Sequence, residues 1–351
     1  MMNRPLPRNA WTVLACAAIT ACGGGTQDAG DSVATTADTE TRVTIASAAS
    51  PGAVRLASAN EAGTPGTTGG QVCAISGDGQ EVLMDSASNN LVPGDGNFQR
   101  DLFLKNLDTG AVTRVNTSAT GVPIVNRLTC HGMSQDGTWV VFTADSGGSG
   151  QVYVPGAEVE PTLMLKNTRT GELLRVSPPR SSLPNVSSFT FGSITTDGSR
   201  VAFIAQPTTT YQGPYSYAAL GPARLLVYDR PQRQVLDLSA TALLDAGPGL
   251  FYQANNRAVI SPDGSQVASG SFDLTARVWD VTTGEQVQVF SGHTSAVASA
   301  TFSPDGQTIL TTSNDETARL WDVATGEQLQ VFELGALIVN GAFSPDGKKA
   351  V

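Results

Sequence analysis

An Asp-Gly pair led by a small hydroxyl residue recurs six times in the 351-residue chain, and no other feature constrains the fold as strongly. The sites are Ser76-Gly77-Asp78-Gly79, Ser134-Gln135-Asp136-Gly137, Thr195-Thr196-Asp197-Gly198, Ser261-Pro262-Asp263-Gly264, Ser303-Pro304-Asp305-Gly306 and Ser344-Pro345-Asp346-Gly347. Successive aspartates lie 58, 61, 66, 42 and 41 residues apart. Asp-Gly suits a tight turn between antiparallel strands, because glycine takes positive φ without a Cβ clash. Apolar runs flank each turn, such as Cys73-Ala74-Ile75 before one and Trp139-Val140-Val141-Phe142 after the next.

Each unit continues alike. A third strand follows, for example Leu102-Phe103-Leu104, Leu163-Met164-Leu165 or Leu320-Trp321, then a turn that usually holds Thr-Gly, then a fourth strand such as Val112-Thr113-Arg114-Val115. Four antiparallel strands per unit of 40 to 60 residues is the signature of a propeller blade. A large β-sandwich would not explain the 42-residue step that superposes Asp263 on Asp305 and Trp279 on Trp321. With charged residues at only 15%, 37 glycines and 19 prolines, helical bundles and coiled coils are excluded. The expected fold is all-β: a β-propeller of five complete blades and a partial sixth, whose third and fourth strands are missing after Val351. A truncated gene product is the simplest account, with Val54-Arg55-Leu56-Ala57 offering a fourth strand but no third.

The first 21 residues read as an address. Arg4 and Arg8 precede a short apolar run, Trp11 to Ala21, as in a secretory signal. The run ends in Ile19-Thr20-Ala21-Cys22-Gly23, which resembles the lipobox of bacterial lipoproteins. Cys16 has a poorer context, with bulky Leu14 two positions before it. The resemblance implies that Cys22 is lipidated and becomes the mature N-terminus, and Gly23 in place of Asp leans towards the outer membrane, facing the periplasm. Residues 22–52 hold few large apolar side chains and read as a flexible tether, leaving 53–351 for the propeller. Losing Arg4 and Arg8 with the leader takes the formal charge from −10 to −12, which makes nucleic acid a poor partner.

Two styles of repeat divide the propeller. Residues from about 255 to 351 resemble WD repeats, through Ala276-Arg277-Val278-Trp279-Asp280, Gly292-His293 and Ala318-Arg319-Leu320-Trp321-Asp322. Residues from about 72 to 245 are similar to the looser TolB-like repeats of bacterial envelope proteins, best seen in Asn90-Leu91-Val92-Pro93-Gly94-Asp95 leading into Asp101-Leu102-Phe103-Leu104. The WD resemblance implies one structural tetrad, in which His293 holds Ser313 and Asp315 and Trp321 closes the network. The preceding unit keeps Ser271, Asp273 and Trp279, but Phe251 stands at the histidine position, and Leu334 stands there in the last unit. A lone histidine more often packs than acts as a general base, so His293 is read as structural.

Two further readings concern the surface and the thiols. Export places Cys73 and Cys130 in an oxidising compartment, and lipidation of Cys22 leaves this pair in the mature chain. A disulfide between neighbouring first strands is therefore favoured over two buried thiols, although a one-residue offset between the units would face them differently. Phe272 and Asn314 lie at the tips between second and third strands, where WD-type propellers commonly contact ligands, and Tyr211, Tyr215 and Tyr217 lie in a long insertion. These five are the candidate partner-binding residues, though the tyrosines equally suit a loop packed on the propeller. Asp95, Asn97 and Asp101 loosely suggest a calcium loop, but they lack a later bidentate Glu and better suit turn capping.

No nucleophile elbow, phosphate-binding loop or zinc motif occurs in the sequence. The expectation is a membrane-anchored envelope lipoprotein serving as a non-catalytic platform for a protein partner, with no metal and no cofactor. The rival is a glycan-binding or hydrolytic propeller with its site at the central channel, since the fold serves both.

Overall fold

A computed structural model describes residues 44–46 and 54–350, apart from 98, 125–126, 146–161, 180–181, 184, 208, 214–215, 220–222, 239–257, 272, 334, 336–340 and 345–346. A short hairpin of β1 (Thr44–Ala46) and β2 (Val54–Leu56) comes first. The leader, Cys22 and most of the tether lie outside the described residues. Five four-stranded antiparallel sheets follow, with no α-helix among the described residues. Blade 1 is β3 (Gly70–Ile75), β4 (Glu81–Ser86), β5 (Asp101–Asn106) and β6 (Val112–Arg114). Blade 2 is β7 (Arg127–Met133), β8 (Trp139–Asp145), β9 (Thr162–Asn167) and β10 (Leu173–Arg175). Blade 3 is β11 (Val186–Ile194) and β12 (Arg200–Pro207), then an inserted hairpin of β13 (Thr209–Gly213) and β14 (Ser216–Ala219), then β15 (Arg224–Asp229) and β16 (Gln234–Asp237). Blade 4 is β17 (Val259–Ile260), β18 (Gln266–Gly270), β19 (Thr275–Asp280) and β20 (Gln286–Ser291). Blade 5 is β21 (Val297–Phe302), β22 (Thr308–Ser313), β23 (Thr317–Asp322) and β24 (Gln328–Glu333). The architecture is a β-propeller, with the strands of each blade lettered a to d in chain order.

The Asp-Gly sites build the a–b turns by one repeated chemistry. Ser76 Oγ donates to Asp78 Oδ1 at 2.5 Å, the Gln80 N–H donates to the same oxygen, and the Glu81 N–H donates to Ser76 Oγ. Gly79 takes φ 73°, the left-handed conformation that the turn requires. Ser134 with Asp136, Ser261 with Asp263 and Ser303 with Asp305 repeat the hydroxyl-to-carboxylate bond. The bonds from Ser76 and Gln80 hold the Asp78 carboxyl below its ordinary pKa, because they favour the charged form.

These turns fix one register throughout. A row of directly opposed residues crosses every blade: Ile75–Val82–Lys105–Val112, Met133–Val140–Lys166–Leu173, Ile194–Val201–Tyr228–Val235, Ile260–Val267–Trp279–Gln286 and Phe302–Ile309–Trp321–Gln328. The core lies between blades. Leu83 and Leu104 of blade 1 meet Val140, Phe142 and Met164 of blade 2, and Ala268 and Val278 of blade 4 meet Ile309 and Trp321 of blade 5. Strands buried on both faces explain the near-continuous apolar runs, such as Leu163-Met164-Leu165.

Past blade 5, Phe343 bridges Ala350 and both pack on Leu310 and Ala318, which starts a sixth unit. At the other end, β2 pairs with β1 in a two-stranded antiparallel sheet.

Candidate functional site

Blade 5 carries a continuous buried polar chain. Trp321 Nε1–H donates to Thr311 Oγ1 at 2.8 Å, Thr311 Oγ1 lies 2.7 Å from His293 Nε2, and His293 Nδ1 lies 2.8 Å from Asp315 Oδ2. The carboxylate can only accept, so His293 donates from Nδ1 and its Nε2 accepts from the Thr311 hydroxyl. Asp315 also accepts from the Thr294 N–H at 2.9 Å and from the Thr317 hydroxyl at 2.7 Å. Burial works against ionisation of Asp315, yet these donors hold its carboxyl far below the ordinary range. Burial pushes the His293 pKa down, against the pull of Asp315, which favours the neutral imidazole.

One member of the expected tetrad is corrected. His293, Asp315 and Trp321 take their expected places, but Thr311 rather than Ser313 completes the chain. Thr311 and Ser313 share a face of β22, two positions apart. The opposed pair Ile309–Trp321 brings the indole N–H to Thr311. Ser313 Oγ instead donates to the Ser295 carbonyl at 3.1 Å and accepts from the Asp315 N–H. It therefore staples the b–c tip from one side while His293 holds it from the other.

That tip is exposed and tied by its own turn bonds. Glu316 takes a left-handed φ of 66°, as Leu274 does at 71° in blade 4, which lets the Thr317 and Thr275 N–H groups reach back to Asp315 and Asp273. Asn314 stands exposed beside it, with its N–H on the Ala296 carbonyl. Leu274 is 42% exposed on the neighbouring tip. Phe272 and Tyr215 lie outside the described residues, while Tyr211 opposes Tyr217 across the inserted hairpin.

Blade 1 holds a different polar core. Arg114 pairs with Asp95 and, at 3.4 Å, with Asp101. Asn116 Nδ2 donates to Asp101 Oδ1 at 2.5 Å and to the Ile124 carbonyl, and Asn97 Nδ2 donates to Asp101 Oδ2. A guanidinium thus sits between the two carboxylates of the loose calcium pattern. The signal lay in Arg114 and Asn116, whose roles depend on register rather than spacing. A cleft of 530 Å³ between blades 1 and 2 is lined by Glu81, Arg114, Lys166 and Arg169. Its charges hold protein groups: Arg169 donates to Glu81, and Lys166 donates to the Thr117, Ser118 and Gly171 carbonyls.

Cys73 and Cys130 form a disulfide between β3 and β7, with Cα atoms 6.0 Å apart. Their one-residue offset is absorbed by β-bulges, at Cys73 in blade 1 and at His131 in blade 2. A bulge re-aims the side chain, so the thiols meet although simple alternation would turn them apart. His131, which sequence reasoning passed over, stacks on Phe191 of blade 3 at 5.3 Å and reaches Thr143 Oγ1 at 2.6 Å.

The geometry defines a β-propeller with WD-type blades at its C-terminal end. Residues 256–280 and 284–322, the body of blades 4 and 5, match the WD40 family, described as WD domain, G-beta repeat. No curated protein matches the chain.

Proposed function

We propose that this chain is an envelope scaffold: a propeller tethered by lipid at Cys22 to the outer membrane, facing the periplasm, that binds a protein partner through its b–c tips. WD40 repeats build protein-interaction scaffolds, and here the polar chain through His293 serves to hold such a tip. That observation carries the reading. The polar cluster of blade 5 is engaged by bonds within the fold, and its outward side is the exposed surface of Asn314 and Glu316. The Cys73–Cys130 disulfide supports export, since such bonds persist in oxidising compartments.

A photo-crosslinker at Asn314 or Leu274, used in intact cells, tests the platform. One protein captured at both tips sustains the reading. Turnover in a hydrolase panel or specific glycan binding, with no protein captured, replaces it by the channel-site rival. Intact mass of the membrane-extracted protein tests the anchor: a diacylated N-terminal Cys22 is expected, and an unmodified thiol there refutes it.

A further inference from the structure

We infer that the outer edge of blade 5, strand β24 (Gln328–Glu333), docks an extended segment of a partner protein, one with apolar residues at alternate positions and a lysine or arginine at each end. This surface lies apart from the b–c tips and does not rest on their role.

Strand d closes each blade on the outside. Among the described residues it pairs on one side only, so its other side offers backbone donors and acceptors to a further strand. The blades treat this edge differently. β6 and β10 are three residues long, and each ends in an arginine, Arg114 and Arg175. β16 has four residues and ends in Asp237, which pairs with Arg224. Short strands and charges blunt an edge. β20 and β24 are six residues long, Gln286-Val287-Gln288-Val289-Phe290-Ser291 and Gln328-Leu329-Gln330-Val331-Phe332-Glu333. Before the last residue neither holds a charge, and neither holds a proline or glycine, a composition that readily adds another strand.

The exposed side chains fall on the same two edges. Seven large apolar side chains are exposed among the described residues, and three of them are Val287 at 48%, Leu329 at 48% and Val331 at 37%, so apolar exposure gathers where the backbone is open. Val287 and Leu329 are matching bulge residues, between Gln286 and Gln288 and between Gln328 and Gln330. A bulge re-aims its side chain and interrupts the ladder. The regular edge of blade 5 therefore runs from Gln330 to Glu333, opposed inward by Leu320, Arg319, Ala318 and Thr317. Phe332 packs with Leu310 and Ala318, which anchors the strand while Leu329 and Val331 stay open.

Charge selects the occupant. Glu327 and Glu333 are exposed and bound the edge at its two ends. Arg319, one strand inward, is held by Gln328. A second copy laid antiparallel over residues 327–333 sets Glu327 against Glu333 at both ends, and like charges directly opposed destabilise a strand pair. Each copy also carries a net charge of −10. A segment with a basic residue at each end meets the same glutamates as opposite charges, while its backbone extends the ladder and its apolar residues cover Leu329 and Val331. Blade 4 has Glu285 at one end of β20 but Ser291 at the other, so its edge is a weaker copy of the site.

The peptide Lys-Val-Thr-Val-Thr-Val-Lys, and the same core ended by glutamates, test this on the full chain. The lysine-ended peptide should bind at least about tenfold more tightly at low salt, and should slow hydrogen exchange at residues 330–333 but not at 314–316. Val331→Lys should weaken its binding by about tenfold or more, and Val122→Lys, at an exposed site on neither edge, should leave it unchanged. If Val331→Lys lowers the melting temperature, Leu329→Lys, in the bulge, takes its place. Equal affinity for the two peptides, equal losses at Val331 and Val122, or slowed exchange at 314–316 alone would overturn the inference. Protection of 330–333 that rises with protein concentration without peptide would assign the edge to a second copy, and would overturn it too.

Discussion

In blade 5, Asp315 takes its bonds from His293, Thr294 and Thr317, and its side chain is 4% exposed. In blade 4 the matching Asp273, 42 positions earlier, pairs instead with Arg277 and is 30% exposed. The two blades share the Ser-x-Asp-x-Thr-Ala-Arg-x-Trp-Asp frame and differ at the histidine position, where blade 4 has Phe251. In blade 5 the matching arginine, Arg319, turns to Gln328 Oε1 at 2.7 Å. Trp321 reaches Thr311 at 2.8 Å, whereas Trp279 reaches Ser269 at 3.4 Å. One imidazole therefore sorts the partners of an aspartate, an arginine and an indole. A buried polar chain is worth most when each member is satisfied, and blade 4 shows the looser arrangement left when the central member is missing.

The comparison breaks most visibly at the aspartates. Asp315→Ala strands the His293 and Thr294 donors in a buried site and should lower stability by about 3 kcal/mol. Asp273→Ala loses a partly exposed pair and turn bonds, and should cost about 1 kcal/mol. Denaturant titration of both variants reads the difference, and equal losses would show that His293 adds nothing. His293→Ala should cost about 2 kcal/mol by leaving Thr311 and Asp315 short of a partner. An unchanged melting temperature with loss of partner binding would move His293 from a packing to a contact role.

Acid should separate the blades by a smaller step. The His293 pKa is lowered by burial, so below about 6.5 the unfolded chain binds a proton that the folded chain refuses. Stability then falls with pH from that point until the folded histidine titrates. The lowered Asp315 and Asp273 groups contribute stability present above the ordinary carboxyl value of 3.8 and lost below it. Melting temperature measured from pH 7.5 to 4.5 should slope in the parent below about pH 6.5 and slope less there in His293→Ala. A variant slope equal to the parent's would assign that acid step to other groups.

The repeat was legible because each unit repeats a local turn chemistry: Ser, Asp and Gly fix the a–b hairpin within six residues, and the hairpin then fixes register. His293, Asp315 and Trp321 were readable for the same reason, as fixed offsets in a repeated frame. Thr311 was not, since Ser313 offers a like hydroxyl on the same strand face and only the height of the Trp321 indole distinguishes them. The Cys73–Cys130 geometry was obscured by bulges, which shift facing without leaving a compositional mark. The Asp95–Arg114–Asp101 cluster joins residues from a loop and two strands, and no spacing rule links a carboxylate to the guanidinium that will meet it across a sheet.

The smallest effect tests how blade 4 manages without a histidine. Arg277 pairs with Asp273 at a site where both side chains meet solvent, 21% and 30% exposed. Such a pair is weak and screened, so Arg277→Ala should cost about 0.5 kcal/mol, and the loss should shrink further in about 0.5 M NaCl. Arg319→Ala in blade 5 removes a bond to a neutral glutamine and leaves every Asp315 donor in place, so its cost should not vary with salt. Paired melts of the two variants at low and high salt give the contrast directly. If Arg319→Ala proves the more salt-sensitive, the arginine rather than the imidazole is what balances the aspartate in blade 5, and the two blades are wired alike after all.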